Sequence, residues 1–292
     1  MNDDDHGFAA HRGLLFTVAY EMLGSAADAE DVVQETWLRW AGVDHAEVLD
    51  PRAYLVRIAT RLALNRLRTL ARRREAYVGP WLPEPLLTVP DVADDVALAD
   101  SVSTAMLLVL ETLAPVERAV FVLREVFDLP YDEIATALDK TPDAVRQTAL
   151  RARRHVAARR PRQAVERSES LRAIESFLAA ASTGELQPLM DVLAPDVVLL
   201  SDGGGVVSAA RRPVVGRDNV ARFLDGIARK GAAGAAVDVA WVNGLPAIRA
   251  SRHGQVVTVI TLAVEDGLVA GVYVVVNPDK LARLTEPVGL TR

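Results

Sequence analysis

Cysteine is absent from all 292 residues, which removes disulfides, thiolate nucleophiles and Cys-ligated zinc. Histidine is scarce: there are five, none spaced as a short ligand motif, so metal and covalent thiol mechanisms drop out and no cofactor is expected. Long apolar runs are missing too. The longest, such as VYVVV at 272–276, fall far short of the roughly 20 residues a membrane span needs. The start, MNDDDH, is acidic where a secretory signal is basic. A cytoplasmic protein without membrane attachment is expected. With 50% hydrophobic content the chain can bury a sizeable core, with room for roughly two or three compact units.

Acid is lacking where base is densest. Residues 52–74 hold Arg52, Arg57, Arg61, Arg66, Arg68, Arg72, Arg73 and Arg74 without one carboxylate, and after Asp143 the stretch to 162 holds Arg146, Arg151, Arg153, Arg154, Arg159, Arg160 and Arg162. The net charge is nevertheless −6, and Glu21, Asp28, Glu30, Asp31 and Glu35 form a base-free block at 21–35. Two arginine segments in an acidic chain point to local polyanion contacts and a separate electropositive partner, although either block alone is equally well a solvated helix face.

The first half reads as helices. Leu14, Leu15, Val18, Ala19, Met22 and Leu23 share one face, Gly24 stops that helix, and Ser25 with Asp28 resembles a capping box. In the next helix Val32, Val33, Thr36, Trp37 and Trp40 lie on one side, leaving Asp31, Gln34, Glu35 and Arg39 outward. A third helix opens at Asp50 and Pro51, with Leu55, Ile58 and Leu62 as its dry face and Arg57, Arg61, Arg68 and Arg72 as a separate stripe edged by Asn65. Between 76 and 100, Pro80, Pro83, Pro85 and Pro90, followed by Asp91, Asp94 and Asp95, predict an extended acidic linker. Its WLPEPL segment carries Trp81, Leu82 and Leu86, enough apolar surface to dock; an ordinary tether reads similarly. From 101, helices return and end in a helix-turn-helix: one helix to Leu138, a turn at Asp139 and Lys140, then Thr141 as cap and Pro142 as first residue of the second. There Val145, Ala149, Ala152 and Val156 face inward. Arg146 and Gln147, near the N-terminus of that helix, are candidates for base edges, and Arg151, Arg153 and Arg154 for phosphates.

These stretches together resemble a known family. AYEMLGSAADAEDVVQETWLRW, DPRAYLVRIATRLALNRLR, LETLAPVERAVFVLREVFDLPYDEIATAL and AVRQTALRARRHV are similar, in order and spacing, to the region-two and region-four helices of bacterial extracytoplasmic-function sigma factors, over most of residues 8–160. The resemblance implies core RNA polymerase and promoter DNA as partners. It implies that Asp31, Gln34 and Glu35, with Arg39, dock on the beta-prime clamp helices, and that region four meets the beta flap. It implies further that the loop at 41–51 and Arg57, Arg61, Asn65 and Arg68 read and melt the minus-ten element. Trp37, Trp40 and Tyr54 are aromatic candidates for stacking on an unpaired base, with plain core packing as the alternative for both tryptophans. Thr141, Arg146, Gln147, Arg151, Arg153 and Arg154 would meet the minus-thirty-five duplex.

The chain continues past the usual end of such factors. Helices over 170–182, 185–193 and 218–228, with strands over 196–202, 235–242, 246–251, 255–264 and 268–276, make an α+β unit, and Asp266-Gly267 predicts a hairpin. It resembles the SnoaL-like cone related to nuclear transport factor two. The expected organisation is therefore multidomain: two all-α domains (1–75 and 101–165) joined by the linker 76–100, then an α+β cone (166–292). WLPEP at 81–85, DGGG at 202–205 and NPDKL at 277–281 resemble the sigma-factor subgroup with this extension. That implies regulation in cis through Trp81, Leu82, Pro83, Asp202, Gly203, Gly204, Asn277, Pro278, Asp279 and Lys280, without a dedicated anti-sigma factor. Cones of this kind enclose a pocket, which leaves room for a small ligand, with Arg211, Arg212 and Arg217 as anion contacts or simple surface charge. Asp202 and His253 are the two groups tempting for catalysis, but they read as a turn cap and a hairpin tip, so no enzyme is expected. A fused cyclase or a ligand-responsive repressor has no use for the acidic docking helix.

Overall fold

The computed structural model describes residues 4–90, 95–159, 167–231 and 234–292. Of the residues named above, Asp91, Asp94, Arg160 and Arg162, and the side chains of Arg72 and Arg73, lie outside the described residues. Contacts divide the chain into two units: Met1–Glu75 with Met106–Arg160 and Gly289–Arg292, and Ala76–Ala105 with Pro161–Val288. Both helical segments thus belong to one compact body. The proline-rich segment belongs to the other, together with the α+β residues.

The first unit is all-α. Helix α1 (Asp4–Leu23) buries Leu15, Val18, Ala19, Met22 and Leu23, and Gly24 ends it at φ +65°. Helix α2 (Ala26–Trp40) starts from Ser25, whose Oγ accepts the Asp28 amide at 3.2 Å; the Asp28 carboxylate goes instead to Arg66. Val32, Val33, Thr36 and Trp40 are buried, whereas Trp37 is 43% exposed. Trp37 stands at the border of the apolar stripe, where period alone does not settle burial. Helix α3 (Pro51–Glu75) is capped by Asp50, which accepts the Ala53 amide at 3.0 Å, and packs Leu55, Ile58 and Leu62 inward. After α4 (Val96–Ser101), which belongs to the second unit, come α5 (Thr104–Glu111) and α6 (Pro115–Phe121), then α7 (Tyr131–Leu138) and α8 (Pro142–Ala157). Asp139 adopts the left-handed conformation and Thr141 Oγ1 accepts the Ala144 amide, so the α7–α8 turn has the chemistry its sequence predicts. Val145, Ala149, Ala152 and Val156 are buried. The arginines between them are left outside.

The second unit is α+β. Helices α9 (Arg167–Ser182), α10 (Leu186–Val192) and α11 (Arg217–Gly231) accompany β1 (Leu193–Asp202), β2 (Val214–Val215), β3 (Ala236–Val242), β4 (Leu245–Arg252), β5 (Gln255–Glu265) and β6 (Leu268–Val275). The sheet runs β2-β1-β6-β5-β4-β3, antiparallel except that β1 lies parallel to β6. Ile174 and Phe177 of α9, Leu189 of α10 and Val220 of α11 pack on Val197, Leu199, Val272 and Val274. Burying each such side chain contributes about 1.5–3 kcal/mol before entropy is counted. Asp266-Gly267 forms its hairpin with φ of +50° and +77°. A last short helix, α12 (Pro278–Leu281), is capped by Asn277.

The segment 76–100 differs from a free tether in two ways. It contains α4, started by Asp95 accepting the Leu98 amide. Its Leu82 and Leu86 are buried. Apolar side chains in an otherwise polar strap find water too costly, and the second unit supplies their cover.

Candidate functional site

Three surfaces gather the polar residues singled out above. On α2, Gln34 is exposed and Glu35 pairs with Arg39 at 2.7 Å. Asp31 is tied to Arg66, which also holds Asp28 at 2.6 Å, so one of the eight cations at 52–74 is spent on the acidic block. Beside them Phe8, Arg12, Glu30, Val33, Gln34, Trp37 and Leu38 line a groove of about 350 Å³. Leu38 and Trp37 are exposed there, an apolar patch with a charged rim of the kind that docks protein.

On α3, Arg57 lies over the Tyr54 ring at 4.9 Å and Asn65 accepts from Arg68 at 3.1 Å. Trp40 packs on His45 and Tyr54 within the fold, so core packing is its role. Arg61 donates to the carbonyl oxygens of Ala137 and Thr136 at 2.9 and 3.1 Å. On α8, Arg146 pairs with Asp143 at 2.7 Å, Arg151 with Glu117 at 3.4 Å and Arg153 with Glu125 at 3.7 Å, while Gln147 and Arg154 are exposed. Exposed ion pairs of this kind are worth little, so these arginines remain available to phosphate.

The third site surrounds Asp202, which ends β1 and is fully buried. Its carboxylate accepts the Tyr77 hydroxyl at 2.6 Å, the Leu82 amide at 2.9 Å and the Gly204 amide at 3.0 Å, and pairs with Lys280 at 2.7 Å. Lys280 also donates to the Leu82 carbonyl and stands 4.4 Å from the Trp81 ring centroid and 5.1 Å from that of Tyr77. Asn277 donates to the Tyr77 oxygen at 2.9 Å and caps α12. Gly204 sits at φ +62°, and a Cβ there would strike the Asn277 amide, so DGGG is required in order to let NPDKL approach. Four residues after Leu82, the Leu86 amide donates to the Asn243 side-chain oxygen at 2.8 Å, and the Asn243 amide donates to the Leu86 carbonyl at 2.9 Å. Leu87 bridges Val242 on one side, and Thr88 bridges Val288 on the other. The strap is held as an added strand is held.

Pro83 lies in this strap and Gly203 and Asp279 flank the anchor, whereas His253 is an exposed hairpin tip at φ +51°. All of Asp202's close partners are structural donors, which leaves it no role as a base. Among the described residues no cluster of three acidic, histidine or cysteine side chains could hold a metal, and no helix is long and apolar enough to cross a membrane. Sequence reading missed Tyr77 and Asn243. Asn243-Gly244 between two apolar runs is a hairpin signal that could have exposed the second; nothing marked the first.

Burial and the Asp202 hydrogen bond push the Tyr77 phenol well above its ordinary range. A raised acid contributes stability that is fully present below the ordinary phenol pKa near 10 and is lost as pH rises past it, because the released Tyr77 ionises first. Urea unfolding of the second unit should therefore weaken between about pH 9.5 and 11, and Tyr77→Phe should flatten that slope. An unchanged slope in the variant would remove Tyr77 from the anchor.

The family models Sigma-70 region 2 and Sigma-70, region 4 match residues 8–73 and 103–156. The ECF RNA polymerase sigma factor SigJ of Mycobacterium tuberculosis H37Rv is 36% identical, over 98% of this chain and 97% of that protein. The probable ECF RNA polymerase sigma factor SigI of the same species is 35% identical, over 96% of this chain and 95% of its own length. The crystal structure of M. tuberculosis SigJ superposes with a TM-score of 0.77 at 34% identity, covering 95% of this chain and 99% of that one. With both helical segments matched and the likeness running through the α+β unit, the chain belongs to the ECF RNA polymerase sigma factors, which act with core RNA polymerase to start transcription at specific promoters.

Proposed function

We propose that the α+β unit regulates this sigma factor in cis by holding the interdomain linker. The observation that carries the reading is the fully buried Asp202 carboxylate, which takes a hydroxyl, an amide and, through Lys280, a carbonyl contact from residues 77–82. In sigma factors the linker runs through polymerase channels, so a linker gripped by Asp202 and Asn243 is withheld from polymerase. A tethered captor acts at high effective concentration and needs no separate anti-sigma protein. Asp31, Gln34, Glu35 and Arg39 dock polymerase; Arg57, Arg61, Asn65 and Arg68 face the minus-ten element; and Arg146 and Gln147 read the minus-thirty-five duplex, with Thr141, Arg151, Arg153 and Arg154 on its backbone. The protein works in the cytoplasm, beside its polymerase.

Single-round transcription with core polymerase tests this on the intact chain. Wild type should give promoter-specific transcripts, and Asp202→Asn, which frees the linker without altering it, should give several-fold more. Equal output from the two proteins would exclude linker capture as a restraint.

A further inference from the structure

Among the described residues of the first unit, the large apolar side chains left exposed are Trp37, Leu38, Leu49 and Leu150. Trp37 and Leu38 line the groove on α2, and Leu49 lies in the loop at 41–51, surfaces that face polymerase and the minus-ten element on the reading above. Leu150 is the fourth, 45% exposed in the middle of α8. A lone exposed leucine ordinarily needs no explanation. The position of this one does. The inward side of α8 is complete without it: Val145, Thr148, Ala149, Ala152 and Val156 are its buried residues. Leu150 follows Arg146 by four residues and Gln147 by three, and precedes Arg154 by four, so it shares the outward face with two candidate base readers and a candidate phosphate contact.

On that face Arg146 is braced by Asp143 at 2.7 Å and lies 5.8 Å from the Tyr131 ring centroid. Four residues of helix rise about 6 Å, close to about two base pairs of duplex at roughly 3.4 Å each, so the leucine reaches the groove about two pairs beyond Arg146. A side chain with neither donor nor acceptor has one favourable partner on the major-groove base edges, the thymine 5-methyl group. Set against guanine, adenine or cytosine it would cover a ring nitrogen, a carbonyl or an amino group that then loses its water. One side chain thus attracts a single base and penalises the other three.

We infer that Leu150 is a specificity-determining residue of promoter recognition, packing on the methyl group of a thymine about two base pairs from the contact of Arg146. This rests on α8 facing the minus-thirty-five duplex, as proposed above, and is independent of linker capture by Asp202.

The test uses the full chain assembled with core polymerase, on a promoter which that holoenzyme selects from a genomic library. Each thymine of the minus-thirty-five segment is replaced in turn by deoxyuridine, which pairs as thymine does and lacks only the methyl group. One replacement should weaken wild-type binding about fourfold, the scale for losing one buried methylene. Leu150→Ala should bind the thymine promoter several-fold more weakly and be indifferent to that replacement. Its slope of log affinity against log salt should match wild type, because no phosphate contact is lost, and its melting temperature should be unchanged, because the side chain is exposed. If no deoxyuridine weakens wild type, or if the deoxyuridine effect persists undiminished in Leu150→Ala, the thymine contact is overturned, the first of these whether or not the variant folds. Arg146→Ala on the same promoters separates the two readings. Weakened binding in Arg146→Ala beside wild-type binding in Leu150→Ala would refute the leucine contact alone, whereas wild-type binding in both would refute it together with the placement of α8 on the duplex.

Discussion

Asp202→Asn is expected to lower the stability of the α+β unit by about 3 kcal/mol, the scale for removing one partner of a buried charged pair. Asparagine keeps an oxygen for one of the Tyr77, Leu82 and Gly204 donors, but Lys280, 12% exposed, loses its 2.7 Å contact with the buried carboxylate. The cheapest relief is for Lys280 to reach water, and it cannot do so without releasing the Leu82 carbonyl and the Trp81 ring. The linker therefore leaves with it. For a unit of this size the loss corresponds to a melting shift of roughly 6–12 °C, readable by calorimetry. Chymotrypsin should then cut after Tyr77 or Trp81. Asp196→Asn, on the same strand but exposed, should stay within about 0.5 kcal/mol of wild type. Equal effects at Asp196 and Asp202 would mean the strand, not the anchor, is being measured.

Arg146→Ala carries the other large expectation. The side chain stands in the first turns of the recognition helix, half exposed, paired with Asp143 and lying over Tyr131 at 5.8 Å. On the proposed reading neither contact keeps it from a base edge, and both orient it along the helix face. Loss of one bidentate base contact is worth about 1–3 kcal/mol, so promoter affinity should fall about ten- to a hundredfold and tolerance should widen at one base pair. Arg154→Ala should behave differently, weakening all promoters alike and reducing the slope of log affinity against log salt by about one. Uniform loss from both substitutions across a promoter library would reduce Arg146 to a phosphate contact.

Local signals carried the all-α half. Gly24, Ser25, Asp50 and Thr141 each act within one turn of the backbone, and all four do in the structure what their chemistry dictates. The strands of the α+β unit were equally legible because alternation is local. The parallel pairing of β1 with β6 was not, since no turn joins strands that far apart in sequence. The same separation hid the Asp202 anchor's full extent. Asp202 capping the Gly204 amide is a two-residue matter, but its partners Tyr77 and Lys280 lie 125 and 78 residues away. Arginine runs were the least legible: a solvated stripe and a buried cluster look alike in one dimension, and only packing shows that Arg61, Arg66 and Arg74 have protein partners.

Amide hydrogen exchange at Leu82 and Leu86, measured on the full chain before and after core polymerase is added, tests the account most directly. In the free protein both amides are bonded to buried side-chain oxygens and should exchange as slowly as the β-sheet, and polymerase should accelerate or redistribute that protection as the linker is drawn off. Fast exchange in the free chain, or protection that polymerase leaves untouched, would contradict the claim that the α+β unit holds the linker from the enzyme it serves.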